Sequence, residues 1–347
     1  MKPRLLPEWA PQIATLLVWP HQQTDWAPHL TQVEPVYRAI VAAISDHQPV
    51  VIICYDSGHQ RYIQYMLKLS PEQSARVQYF VSPYNDTWIR DYGPLSIATD
   101  QGTQWLKFHF NAWGQKYASN LDNQVVLRLA QADLLLKLYP KTPKLLTSNL
   151  TLEGGGLETD GAGTLLTTSQ CALSPKRMPN TTKHSLEAQL MDLLDLQRVL
   201  WLDHGQLPGD DTDGHIDTLV RFCSPTLLCY QSCDDTTAKC YLPLQNMEQQ
   251  LKTFTQLNGE AYQFIALPWP NIEKHHGIIG LPATYANFLI TGKKVLLPTY
   301  NVPADQQALD LLTQCFPQYQ VEGVYCLPLL KQFGSLHCAT MQLTLSS

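Results

Sequence analysis

Five side chains stand out by type and by spacing: Asp91, Glu153, His215, Asp217 and Cys338. They lie in motifs rich in glycine and small polar residues: TWIRDYGP around Asp91, LEGGG around Glu153, GHID for His215 and Asp217, and GSLHC ending at Cys338. Asp91 and Glu153 are 62 residues apart, Glu153 and His215 are 62 apart, and His215 and Cys338 are 123 apart, close to twice that interval. If the chain repeats one structural unit around a common axis, equivalent positions converge and these side chains meet in one pocket.

Gathered together, they supply a nucleophile, an acid/base, a residue to orient that base, and two anionic anchors. A cysteine attacks as its thiolate, so it needs a positive neighbour, which an imidazolium or a cationic substrate supplies. Two carboxylates facing a planar cation suit a guanidinium, whose fork of N–H donors pairs bidentately with carboxylate oxygens. A substrate without positive charge would leave those carboxylates repelling one another. The residue types therefore predict nucleophilic attack on a guanidinium carbon.

The elements that would position these motifs recur as a unit. Strand–turn–strand patterns read over 93–108, 155–168, 214–230, 282–300 and 334–345, each opening on Gly or Pro beside polar residues. Apolar residues at helical spacing occupy 123–138, 185–196, 244–256 and 304–315. Short apolar strands close the units at 199–202, 264–267 and 324–327, with 77–81 as the upstream counterpart. The N-terminal part adds strands at 14–18 and 50–54 around a helix at 32–44. A length of 347 residues alone would suit two domains. A hairpin–helix–strand unit used about five times, with no linker or low-complexity tract, instead predicts one domain over 1–347, arranged as a ring or an array.

Composition narrows the function classes. Apolar residues reach 44%, with 8 Trp, 16 Tyr and 9 Phe, enough for a large core and incompatible with bulk disorder. The 24 basic and 30 acidic residues leave a net charge of −6, and no Lys/Arg cluster offers a footprint for nucleic acid. Nine cysteines, odd in number and irregular in spacing, suit a reduced cytoplasmic protein better than a disulfide framework. Lys2 and Arg4 are followed by Pro7 and Pro11 rather than an apolar run, so neither a signal peptide nor a membrane partner is expected. Cys229, Cys233 and Cys240, with His275 and His276, match no standard zinc spacing. Gly154–Gly156 is no phosphate cradle, because neither Lys-Ser/Thr nor a helix follows it.

The segments TWIRDYGP, FNAWG, LEGGGLETDGAGTLLTT, GDDTDGHIDTLVRF, LPATYANFLI and GSLHCATMQ, in this order over residues 8 to 345, resemble the agmatine deiminase family. That family is related to the Porphyromonas-type peptidylarginine deiminases within the guanidino-group-modifying superfamily. The resemblance implies a five-bladed, pseudo-symmetric α/β-propeller (the pentein fold) of ββαβ units around a central channel. It implies a hydrolase of polyamine (putrescine) biosynthesis that converts agmatine and water to N-carbamoylputrescine and ammonia. By motif, Cys338 would be the nucleophile and carry an amidino-thioether, and His215 would protonate the leaving ammonia and then activate water. Asp91 and Asp217 would hold the guanidinium, and Glu153 would orient His215. The resemblance implies no metal or organic cofactor and is compatible with a homodimer.

Other positions keep two readings. Trp88 and Trp113 could line the channel against a methylene chain or simply fill the core. Asp210 and Asp211 could meet a distal ammonium or sit in a solvated loop. Asn111 and Asn287 read equally well as turn makers, and Asp91 could merely partner Arg90. Tyr92 stands where many relatives carry a small polar residue, which bears on the distal end of the substrate. Free arginine would require a cation for its α-carboxylate, and the direction of Arg90 and Arg221 decides that point. Peptidyl-arginine, free arginine and a catalytically silent scaffold are the alternatives.

Overall fold

A computed structural model describes residues 3–346. Met1, Lys2 and Ser347 lie outside it, including the Lys2 weighed for a leader sequence. The described strands form five small sheets. Three follow one plan: an antiparallel pair, then a helical crossover to a parallel third strand. The third sheet is typical, with Val220–Phe222 antiparallel to Leu227–Gln231, and Gln263–Leu267 added in parallel after helix Tyr241–Leu251. Parallel neighbours need such a crossover, because a tight turn can only reverse the chain. The first sheet extends the plan with Arg4–Leu5 on the outer edge of the pair Leu95–Thr99 and Gly102–His109.

Four of the five expected hairpins form where the turn signals place them. The segment 334–345 does not: it holds one strand, Thr340–Thr344, which pairs antiparallel with Gln12–Val18 from the other end of the chain. Val50–Cys54 and Val77–Val81 then add in parallel. Val50–Cys54 is buried at every residue, and its unbroken apolar run fits a strand covered on both faces.

The helix expected over 123–138 breaks into Asp122–Leu129 and Leu135–Leu138. Val126 and Leu135 are both buried. At roughly 100° per residue they would face opposite sides of one continuous helix, so the turn between them lets both point inward. The remaining helices hold, with Thr182 capping Lys183–Leu194 through the Ser185 amide. Tyr92 is core: its ring packs on Phe110 and its hydroxyl donates to the Asp86 carbonyl at 2.6 Å, so it does not line the cleft. Among the described residues no helix is long and apolar enough to cross a membrane.

Leu343 sits opposite Ala14 in the sheet that joins the two ends of the chain and is fully buried. Leu343→Ala is expected to lower unfolding stability by about 2–5 kcal/mol, the usual cost of a cavity at a packed leucine. Urea denaturation of the two proteins side by side checks this.

Candidate active site

Each sheet presents a polar side chain just ahead of the first strand of its antiparallel pair. Asp91 lies in the short helix Ile89–Tyr92, before strand Leu95–Thr99. Glu153 precedes the turn Gly154–Gly156 and strand Glu158–Thr159. His215 and Asp217 flank the start of the turn Ile216–Thr218, before Val220–Phe222. Asn287 precedes Leu289–Ile290, and Cys338 precedes Thr340–Thr344. The structure brings all six together.

His215 is fully buried between two carboxylates: Nδ1 is 3.5 Å from Asp91 Oδ1, and Nε2 is 3.6 Å from Glu153 Oε2. Gly155 makes this approach possible. A Cβ there would stand 2.7 Å from both Asp91 Oδ1 and His215 Nδ1, and 3.1 Å from Asp217 Oδ2. The Gly155 amide instead donates to Asp91 Oδ1 at 3.0 Å. The other Asp91 oxygen accepts the Trp113 indole N–H at 2.9 Å. Trp113 is held for this in a left-handed run from Ala112 to Gln115, with φ of 52° at Ala112 and 55° at Trp113. Asn111 supports the run, accepting the Gly114 amide at 2.8 Å and donating to the Lys176 carbonyl at 2.8 Å. Left-handed non-glycine residues cost on the order of 1–3 kcal/mol each and persist only where the surroundings enforce them. Asn111 is thus a turn maker, and Trp113 is a partner of Asp91 as well as a wall of the cleft.

Cys338 Sγ lies 3.8 Å from Asp217 Oδ2 and 3.3 Å from the Asn287 amide nitrogen. Asn287 also accepts the His337 and Cys338 amides at 2.9 and 3.3 Å, so it fixes the segment that carries the thiol. Behind Asp217, His337 bridges two carboxylates, with Nδ1 2.7 Å from Asp217 Oδ2 and Nε2 2.7 Å from Glu8 Oε2. Glu8 in turn accepts the Ile290 amide at 2.6 Å and pairs with the buried Arg221. Behind Glu153, Arg177 donates its Nε to both carboxylate oxygens at 2.9 and 2.8 Å. Cys171 Sγ lies 3.7 Å from Glu153 Oε2.

These neighbours set the charges. Burial pushes Asp91 up to about 6, against the pull of His215 and reinforced by Asp217 and Glu153. Burial acts on Asp217 as well, but the His337 hydrogen bond and charge hold it below the usual carboxylate range. Glu153 is likewise held low against burial, by His215 and Arg177. Burial works against a charged His215, yet Asp91 and its other partners hold it well above the ordinary imidazole value. Cys338 is pushed well up by burial and by the charges of Asp217 and Asp91. These neighbours favour the thiol over the thiolate in the free protein.

A narrow cleft opens over Cys338. Asp91, Trp88, Trp113 and Asp211 line it as the sequence suggests, together with Asp25, Asp86, Tyr117, Thr212 and Phe333. His215 and Glu153 form the buried support behind that lining, and Asp217 lies buried beside Cys338 beneath the floor. Asp211 is already engaged by Lys116 at 3.1 Å and by the Tyr117 hydroxyl at 2.8 Å. Asp86, half-buried in the wall, is pushed up to about 7 by burial. Asp210 turns away to cap its own loop, accepting the Thr212 amide at 3.0 Å. Arg90 is not the partner of Asp91: it donates to the His337 carbonyl at 3.3 Å and to Gln342 at 2.6 Å.

The arrangement gathers a thiol, an imidazolium acid and two carboxylates at and just beneath the floor of this cleft. It matches known proteins throughout its length. The chain belongs to the Porphyromonas-type peptidyl-arginine deiminase family, which it matches over residues 4–343. An agmatine deiminase of Pseudomonas syringae pv. tomato is 29% identical, with 96% of this chain and 94% of that protein covered. A solved structure from Porphyromonas gingivalis, described provisionally as an arginine deiminase, is 42% identical with a TM-score of 0.90, covering 99% and 98% of the two chains. A substrate-bound agmatine deiminase from C. jejuni is 32% identical with a TM-score of 0.88, covering 98% and 96%.

Removing one of the negative charges beside Cys338 should ease its ionisation. Asp91→Asn is expected to speed alkylation of Cys338 by iodoacetamide at neutral pH severalfold, because more of the thiol is then ionised. Mass spectrometry of the Cys338 peptide over time measures this. An unchanged rate would show that the charge of Asp91 does not reach the thiol.

Proposed function

We propose that this protein is an agmatine deiminase, which hydrolyses the guanidinium of agmatine to N-carbamoylputrescine and ammonia. In this reading the five sheets are the blades of a pseudo-symmetric α/β-propeller, residues 1–347 are one deiminase domain, and the cleft is the mouth of its central channel. The observation that carries the reading is the charge of the cleft. Asp25, Asp86, Asp91 and Asp211 line it, and among the described residues no lysine or arginine does. Its floor is the Cys338 thiol with Asp217 at 3.8 Å.

The guanidinium pairs with Asp91 and Asp217, which places its carbon over Cys338 Sγ. The incoming positive charge offsets both carboxylates, so the thiol gives up its proton to solvent through the cleft as the substrate binds. Sulfur attacks the guanidinium carbon, and His215 protonates the departing nitrogen, which leaves as ammonia. A C–S bond has replaced a C–N bond, giving an amidino-thioether on Cys338. Neutral His215 then takes a proton from water, hydroxide adds to the same carbon, and the C–S bond breaks with the hydroxyl proton passing to the departing sulfur, releasing the ureido product. Glu153, itself held by Arg177, orients His215 and supports its charged form. Trp88 and Phe333 accept the methylene chain, and Asp86 and Asp25 meet the distal ammonium, since Asp211 is already paired.

Arginine and its peptides fit this cleft less well. Arg90 and Arg221 both turn into the core, Arg221 onto Glu8, Glu158 and the Phe288 carbonyl, so neither is free for an α-carboxylate. Ammonia release measured with agmatine, free arginine and an arginyl peptide should favour agmatine by at least about 100-fold, the discrimination expected where a buried charge is left unpaired. Cys338→Ala should abolish turnover with the fold intact. A preference for free arginine would overturn the substrate assignment.

The pH profile carries its own sign. Asp91 and Asp86, raised to about 6 and about 7, bind a cation only when ionised. As pH falls from 7 through 6, protons compete with the substrate, so KM for agmatine rises and kcat/KM falls. Steady-state kinetics between pH 5 and 8, a range set by those values, checks this.

A further inference from the structure

Three thiols that the reaction above does not use meet where helix Ala304–Cys315 packs near the third sheet. Cys223 follows strand Val220–Phe222, Cys229 lies within Leu227–Gln231, and their sulfurs are 3.0 Å apart. Cys229 Sγ is 3.4 Å from the sulfur of Cys315, the last residue of the helix. All three are free thiols; Cys223 and Cys229 are buried, whereas Cys315 is partly exposed. A solute therefore reaches the cluster through Cys315.

The chemistry of the three differs. Hydrogen bonds from Cys223 and Cys229 favour the thiolate of Cys315, outweighing its partial burial. Burial holds Cys223 and Cys229 as thiols. A metal ion would have to deprotonate both of them in apolar surroundings, whereas a disulfide leaves the site neutral. Although the Cys223 and Cys229 sulfurs lie closer, the ladder disfavours bridging them, and access favours Cys315. Cys229 stands directly opposite Arg221 in the antiparallel ladder, so Cys223 is its diagonal neighbour two positions on. Diagonal Cα atoms are about 7–8 Å apart, beyond the span that a disulfide normally bridges. Cys229 and Cys315 come from a strand and a helix end, with no ladder fixing their separation.

We propose that Cys315 and Cys229 form a thiol–disulfide site that responds to hydroperoxides, with Cys315 as the attacking sulfur and Cys229 as the resolving one. The Cys315 thiolate attacks one oxygen of hydrogen peroxide, the O–O bond breaks, and hydroxide leaves to be protonated to water. Cys315 is then a sulfenic acid. The Cys229 sulfur attacks it, the S–O bond breaks, and hydroxide departs with the Cys229 proton as a second water. Two thiols lose two electrons, and one peroxide is reduced to two waters.

The test treats the reduced full-length protein with stoichiometric hydrogen peroxide, quenches with an alkylating reagent and maps the peptides by mass spectrometry. The expected product is a cross-link between the Cys229 and Cys315 peptides that dithiothreitol removes. Cys315→Ser should abolish it while leaving ammonia release from agmatine unchanged in the untreated protein, and Cys223→Ser should retain it. A cross-link between Cys223 and Cys229 would overturn the assignment. So would over-oxidation of Cys315 without any cross-link, or a Cys315 that stays reduced while Cys338 is oxidised.

Discussion

A line of buried charge holds the cleft in shape. Arg221, fully buried, pairs with Glu8 and Glu158; Glu8 meets His337, His337 meets Asp217, and Asp217 faces the Cys338 sulfur. Its members come from four separate stretches of chain, with Glu158 from the second sheet. Glu8 comes from the N-terminal segment, Arg221 and Asp217 from the third sheet, and His337 from the segment before the last strand. Removing one partner from such a pair strands the other in a low dielectric, which typically costs about 3–5 kcal/mol. Packing alone would tolerate small slips between sheets, but a relay of 2.7 Å contacts does not. Arg177 does the same for Glu153, through both carboxylate oxygens.

The relay also makes two aspartates of the same site behave differently. Asp217 has His337 behind it and stays ionised, whereas Asp91 has neutral dipoles from Trp113 and Gly155 besides His215 and is pushed up to about 6. Environments that drive like groups apart are how one site keeps an anchor and a tunable charge side by side. The thiol between them is disfavoured as an anion by both. A planar cation would relieve all three at once, so on the proposed reading the electrostatics that disfavour the thiolate in the free protein are the ones that select the substrate.

Much of this was legible in the sequence. Gly and Pro punctuation and alternating apolar residues located four of the hairpins and most helices, and the 62-residue interval pointed to the convergence of Asp91, Glu153, His215 and Cys338. The fifth hairpin was misread because a lone strand looks the same whether its partner is local or at the far end of the chain. Asn287 was underrated, although it stands just ahead of the fourth antiparallel pair as Cys338 stands ahead of the last strand; reading that equivalence strictly would have found it. Glu8, Arg177 and Cys171 carry no motif, since a supporting role depends on three-dimensional neighbours that spacing does not encode. The spacing of Cys229, Cys233 and Cys240 gave no zinc set, and the structure separates them as that reading expects. In the structure Cys233 and Cys240 pair with each other, while Cys229 turns to Cys223 and Cys315.

The pairing of Thr340–Thr344 with Gln12–Val18 has a consequence for biosynthesis. A ribosome delivers Asp91, Glu153, His215 and Asn287 well before Cys338. The four earlier sheets can begin to form as the chain emerges, but the sheet that brings the thiol needs the first strand to wait for the last. Joining segments so distant in sequence is intrinsically slow, because the entropy of the long closure must be overcome before any contact rewards it. The Cys338 sulfur thus enters a scaffold already largely built around it, and on the proposed mechanism a growing chain is chemically inert until residue 338 has emerged and this last sheet has closed.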